Sequence, residues 1–304
     1  MATLEPRFSG DGNTASCRRF EPRASLEACV RGFVVRRVAT TMESQHLSRF
    51  PATTSCSLSW FLAGSAVRPG EQPVHERIVF RGPQTRPVVA RHRGPLRMFI
   101  LLLAPDALCR MTGIGVDRYL NRICPLAAAL DESWQAMALN VLHARSDEDR
   151  VKLVETFLEP RWRAAHSNDR VSWGPAQRQG EWSRAAISRV HKLAKGRSKR
   201  QLERRTRTLT GWSARGLKNL ARVEEALLMA ARATQPRVNW ASIAAEAGYA
   251  DQSHLCRELR RYTGLSPHQL WLHLQNEQAL WVYKAWFGRG SARDDRLHSS
   301  DAQS

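Results

Sequence analysis

The sequence lacks the means to cross a bilayer as a helix. Its longest apolar run, Met98 to Pro105, falls far below the roughly 20 residues that a span requires. Its first residues show no basic-then-apolar leader. Six cysteines are scattered at Cys17, Cys29, Cys56, Cys109, Cys124 and Cys256, with no Cys-x-x-Cys pair and no histidine pair at zinc spacing beside them. This argues against a disulfide framework and a zinc site, and suits free thiols in a cytoplasmic, nucleoid-associated protein. There is no Gly-rich phosphate loop, no Ser-His-Asp constellation and no pair of carboxylates placed for acid–base work. No catalytic residue, metal ligand or cofactor is therefore assigned.

Acidic residues are also scarce. Asp and Glu number 28 against 47 Lys and Arg, a net charge of +19 on 304 residues. A surplus of that size calls for a polyanionic partner. Between Arg178 and Gln275 there are 19 Lys and Arg against 7 Asp and Glu, so +12 of the +19 sits there. An Arg-rich solvated surface of high-GC origin would explain the upstream excess, but not its peak in this segment. Double-stranded DNA is the expected partner, and a membrane is not.

The same segment contains a block that occurs twice. Ser198 to Leu217 and Asp251 to Leu270 superpose without a gap at an offset of 53 residues, with Leu, Arg, Arg, Thr-Gly, Ser and Leu coinciding. One small structural unit is used twice. In the second copy, Ile243, Ala244 and Ala247 make a narrow helical stripe and Gly248 ends that helix. Asp251 suits an N-cap. Leu255, Leu259 and Tyr262 share one face of the next helix, with Ser253, Arg257 and Arg260 on the other, and Thr263-Gly264 closes it. Ser266-Pro267-His-Gln269 opens a third helix. This is the plan of a helix-turn-helix.

The first copy repeats that plan. Ile187, Val190 and Ala194 stripe its leading helix, Gly196 turns, and Ser198 with Gln201 makes a capping box. Leu217, Leu220, Leu227, Leu228 and Ala231 support one connecting helix from about Ala214 to Ala233. In such a motif the second helix enters the major groove with its N-terminal outer residues toward the base edges. The candidate DNA-contacting residues are Ser198, Lys199, Arg200, Gln201, Arg204 and Arg207 in the first copy. In the second they are Gln252, Ser253, His254, Arg257 and Arg260. The rigid connector would hold the two helices in successive major grooves, about 34 Å apart.

Upstream, the signals change. Residues 1–24 are polar and read as a disordered or loosely attached arm. Leu26 to Val38 fits a helix or a strand. Short β-prone runs punctuated by Pro and Gly occupy Ser55 to Leu103. Helical patterns follow at Pro105–Met111, Val116–Ile123, Asp131–Ala144 and Asp147–Phe157. The expected fold class is α+β: a small N-terminal β-sheet or barrel with packed helices, then an all-α DNA-binding domain. The boundaries read as arm 1–24, regulatory domain 25–166, linker 167–180, DNA-binding domain 181–275 and C-terminal extension 276–304, its tail disordered.

The second copy's Ile243-Ala-x-x-x-Gly248-Tyr-x-Asp251-Gln-Ser-His-Leu-x-Arg257-x-Leu, with Gly264-x-Ser266-Pro267, resembles the DNA-binding domain of AraC/XylS-type transcriptional regulators. The first copy fits through Gly196-x-Ser198-x-Arg200-x-Leu202-x-Arg204-Arg205. It departs at Thr206, where the family carries a large core residue, and at Ala214, where Pro is common. Gly82 to Pro87, Pro105-Asp-Ala-Leu and Arg122 to Leu126 resemble the N-terminal module of one branch of the same regulators. The resemblance implies an N-terminal domain that senses a small effector or mediates homodimerisation, and makes RNA polymerase a candidate partner.

Other readings compete. Trp182, Trp212, Trp240 and Trp271 could stack on bases, but each sits beside an apolar stripe and reads better as core. His254 and His268 lack metal-spaced partners. Cys109 or Cys124 could serve as the thiol nucleophile of a DNA-anchored enzyme, yet neither has an adjacent base. A non-specific architectural DNA binder is the remaining alternative.

Overall fold

A computed structural model describes residues 14–39, 45–66, 76–167, 182–193, 196, 198–232, 238–276 and 281–282. The first 13 residues of the expected arm, the linker beyond Ser167, Ala194, Ala233 and the tail from 283 lie outside them.

The N-terminal half is built on a six-stranded antiparallel sheet, ordered β1-β2-β7-β4-β5-β8. Its strands are β1 (Thr14–Phe20), β2 (Val30–Ala39), β4 (Cys56–Ala63), β5 (Ile78–Arg81), β7 (Leu96–Leu103) and β8 (Ile123–Pro125). A separate ribbon pairs β3 (Gln45–Phe50) with β6 (Val88–Arg93). The expected arm is thus too long: Thr14–Phe20 is a strand, paired in register with β2 from Thr14↔Ala39 to Phe20↔Phe33. Its alternation is masked in the sequence by Arg18 and Arg19, the first lying over the Phe20 ring and the second donating to the Arg31 carbonyl.

The central strands read as nearly unbroken apolar runs because both faces of the sheet are covered. On one face Phe33, Val35, Leu58, Trp60, Phe99 and Leu101 pack against α1 (Pro105–Thr112), α2 (Glu132–His143) and α3 (Asp147–His166). On the other, Val34, Val38, Phe61, Met98, Ile100 and Leu102 belong to the same continuous cluster as Trp182, Trp212, Leu217, Tyr262 and Trp281 of the C-terminal half. The two halves share a core.

Two helix expectations are corrected here. Val116–Ile123 is not one helix: a 3₁₀ turn at Val116–Tyr119 gives way to β8. Asn121 sits at φ +59°, and its Oδ1 accepts a 2.7 Å bond from Thr85 N, which reverses the chain and delivers Ile123 to pair with Arg81. The fourth helix, expected to end at Phe157, runs to His166 through Pro160. Pro removes one hydrogen bond at a cost of about 3 kcal/mol. Burial of Leu158 and Trp162 on the core outweighs it.

Candidate nucleic-acid interface

The two copies fold alike. In the first, α4 (Trp182–Leu193) leads through Gly196 at φ +80° to α5 (Lys199–Thr210) and then α6 (Ala214–Arg232). In the second, α7 (Trp240–Glu246) leads through Gly248 at φ +73° to α8 (Gln252–Thr263) and then α9 (Pro267–Asn276). The offset of 53 holds from the N-caps onward, whereas the turn glycines are 52 residues apart. Ser198 Oγ accepts from Gln201 N, and Gln201 returns a bond to the Ser198 backbone, completing the capping box. Asp251 Oδ1 accepts from His254 N at 2.6 Å. Such caps are worth about 1 kcal/mol each. Both helices close with a threonine hydroxyl donating to the carbonyl four residues back, Thr210 to Thr206 and Thr263 to Leu259, each at 2.7 Å.

Amphipathicity decides what faces outward. Thr206, Leu209 and Thr210 turn α5 inward, while Leu255, Leu259, Tyr262 and Thr263 do the same for α8. Ser198, Lys199, Arg200, Gln201, Arg204 and Arg207 are exposed, as are Gln252, Ser253, Arg257 and Arg260. His254 is half-buried, edge-on to Tyr249 with ring centroids 5.2 Å apart. The structure therefore groups the candidate residues of each copy on or beside one outer face. Arg207 is held by Glu203 at 3.0 Å. Among the described residues no ion pair engages Arg200, Arg204, Arg257 or Arg260, so their donors remain available.

Trp182, Trp212 and Trp240 belong to the apolar core. Trp182 and Trp212 are buried in the shared core, and Trp240 and Trp271 are partly buried. Burial raises the thiol pKa of Cys109 and of Cys124, which disfavours the thiolate that a nucleophile requires.

Sequence reasoning missed a basic groove of about 540 Å³ between α6 and α8. Arg215, Asn219 and Arg222 line one wall, and His254, Glu258 and Arg261 the other. Arg222 is pre-set: its Nη1 donates to the Gly248 carbonyl at 3.2 Å, its Nη2 to Asn219 Oδ1 at 3.1 Å, and its guanidinium stacks on Tyr249. Glu258 is a lone acid here, 3.6 Å from Arg261, with Oε2 buried and unpartnered among the described residues. The spacings 215–222 and 254–258–261 are helical and could have exposed the stripe.

The first copy is anchored to the N-terminal half by charge. Arg189 of α4 makes a bidentate, buried pair with Asp106 of α1, with Nη2–Oδ1 at 3.0 Å and a second bond from Nε to Oδ2. Beside it Arg31 of β2 stacks on Trp182 and donates to Thr54 Oγ1 and Ser55 Oγ. Glu224 of α6 accepts from Ser183 N, and burial pushes its carboxyl up to about 7.

A family model described as a helix-turn-helix domain matches residues 193–271, which run from the end of α4 into α9. No curated protein matches the chain. Among solved structures, ToxT from Vibrio cholerae O395 is 9% identical, covering 77% of this chain and 95% of its own, with a TM-score of 0.35. The AraC-like transcriptional activator CuxR is 14% identical, covering 72% of this chain and 78% of its own, with a TM-score of 0.33. The outward basic faces and the matched domain define a DNA-binding transcription regulator. Its helix-turn-helix domain is of the AraC/XylS type. Among the described residues no helix is long and apolar enough to cross a membrane.

Proposed function

We propose that the chain is a sequence-specific regulator whose α5 and α8 read successive major grooves on one side of its operator. The observation that supports this best is the equivalence of the outward residues: Arg204 and Arg207 of α5 stand where Arg257 and Arg260 of α8 stand, all exposed. Arg pairs bidentately with guanine, and Gln with adenine. In this reading Arg204, Arg257, Gln252 and Ser253 approach bases, and Lys199, Arg200, Arg207 and Arg260 hold phosphates. At least half of the bonds in such interfaces go to the backbone.

The basic groove extends the same proposal. A helix in the major groove is flanked by both sugar-phosphate strands. Positions 254, 258 and 261 of α8 lie one helical step around from 253, 257 and 260, so the groove opens beside the reading face. Arg215, Arg222 and Arg261 receive the phosphates on that flank. The division into a regulatory domain at 25–166 and a DNA-binding domain at 181–275 belongs to this reading. So do an effector, a second copy of the chain and RNA polymerase as partners of the N-terminal half.

Selection of bound fragments from genomic DNA, followed by competition with unrelated DNA in moderate salt, tests the proposal. A specific binder prefers its site by orders of magnitude. Equal displacement by any sequence would mean an architectural binder instead.

A further inference from the structure

The C-terminal ends of α5 and α8 are not free. Trp212, just past α5, packs against Tyr262 of α8 with ring centroids 5.9 Å apart, so the two copies meet at the C-terminal ends of their reading helices. Two loops of the N-terminal half rest on that junction. In the loop after β3, Ala52 N donates to the Tyr262 carbonyl at 2.8 Å, and the next residue, Thr53, accepts from Trp212 Nε1 at 3.4 Å. One residue therefore bonds each copy. In the loop after β5, Pro83 lies against Gly211 and Pro87 against Gly264. A Cβ at Gly211 would come within 3.1 Å of Pro83, and one at Gly264 within 3.3 Å of Pro87. These glycines are equivalent, each ending a reading helix at φ +74° and +77°. Thr53 and Gln84 exchange backbone bonds of 2.8 and 2.9 Å, joining the loops into one piece. Residues 51 to 55 are buried throughout.

We infer that Ala52, Thr53, Pro83 and Pro87 are positioning residues that set the splay of the two reading helices, and with it the half-site spacing the protein accepts. This rests on the proposal that α5 and α8 read DNA. The lever is short and stiff. Each helix has 12 residues and is about 18 Å long. A roughly 10° change at the junction moves a reading tip by about 3 Å, close to the rise of about 3.4 Å per base pair. The connector α6 supports α8 from the side, through Arg222 on the Gly248 carbonyl and the Tyr249 ring, and the two loops add a second support at the junction itself. The loops touch the C-terminal ends, and the residues assigned to bases, Arg204, Gln252, Ser253 and Arg257, stay exposed. The arrangement is therefore a spacer compatible with bound DNA.

The full chain is used for the test. A site selected by the wild-type protein is rebuilt with one base pair removed or added between the half-sites, and the affinities are compared with those of a Pro83→Ala/Pro87→Ala variant and of Ala52→Pro, which lacks the donor to Tyr262. The wild type should lose about tenfold or more at each altered spacing. The variants should bind all three spacings within on the order of threefold, while keeping the same base preferences inside each half-site. Spin labels carried on non-natural amino acids at Lys199 and Ser253 supply a second readout. One narrow distance is expected in the wild type and a broad distribution in the variants. Folded variants that keep the wild-type spacing preference and narrow distance would overturn the inference. If the variants do not fold, the wild-type distance still decides: a broad distribution without DNA sinks it. If the wild type selects no sequence but shows one narrow distance, the reading of DNA has failed and the spacer has not.

Discussion

The two helix-turn-helix units share a backbone plan but are held in place differently. At the position where α8 buries Leu259, α5 buries Thr206. Its hydroxyl is satisfied by the Leu202 carbonyl at 2.8 Å, so the loss is apolar volume and not an orphaned polar group. The first unit offsets that loss from outside itself, through the Arg189–Asp106 pair, Thr208 against Gly115, and Gly211 against Pro83 and Leu120. The second carries a fuller core, with Leu255 and Leu259 fully buried, and meets the N-terminal half chiefly through Ala52 and Pro87. A module with a thinner core can thus stand beside a well-packed one when a neighbouring domain supplies the difference.

That comparison can be broken at several points. Asp106→Asn should have the largest effect, about 3–5 kcal/mol, because it strands the buried Arg189. Hydrogen exchange should then quicken in α4 and α5 while α8 stays protected, and equal loosening of both units would refute the contrast. Leu259→Thr, which gives the second unit the first unit's residue, should cost about 2–4 kcal/mol in denaturant unfolding. Thr206→Ala should cost less.

Glu224 offers a pH test confined to the first unit. Its carboxyl is raised from 4.5 to about 7, first by burial and against the pull of Arg31 and Arg184. The folded state therefore binds its proton more tightly than the unfolded chain does. The stabilisation is complete below about 4.5 and is lost as pH rises through about 7. Glu224→Gln should remove up to about 1.4 kcal/mol of slope per pH unit across that window, read from melts at several pH values.

On DNA, Arg257→Ala should cost about 1–3 kcal/mol and relax preference at one base, with Arg204→Ala its counterpart in the first unit. An unchanged affinity and salt slope would place the reading face elsewhere. Arg215→Ala should be the mildest. It should weaken all sequences alike and reduce the salt slope by about 1, if the groove beside α8 takes a phosphate.

Much of the helical domain was legible residue by residue. Ser198 with Gln201, Asp251, Gly211 and Gly264 mark helix ends through bonds made within a few residues, and such signals survive without knowledge of the fold. The outward faces followed from the 3.6-residue period. The N-terminal half was less readable. Strand β1 hid behind arginines, Val116–Ile123 imitated a helix until Asn121 turned it, and Pro160 suggested an end that burial overrode. The basic groove needed α6 and α8 side by side.

By itself the sequence determined the class of partner, the two units and the side of each helix that meets solvent, because charge, caps and periodicity are written locally. The tertiary structure alone decided that the far sheet face is covered by the second half, that Arg189 finds Asp106, and that Ala52 and Thr53 bridge both units. These contacts join residues from tens to more than two hundred positions apart, and their energy comes from shared burial that no local pattern records.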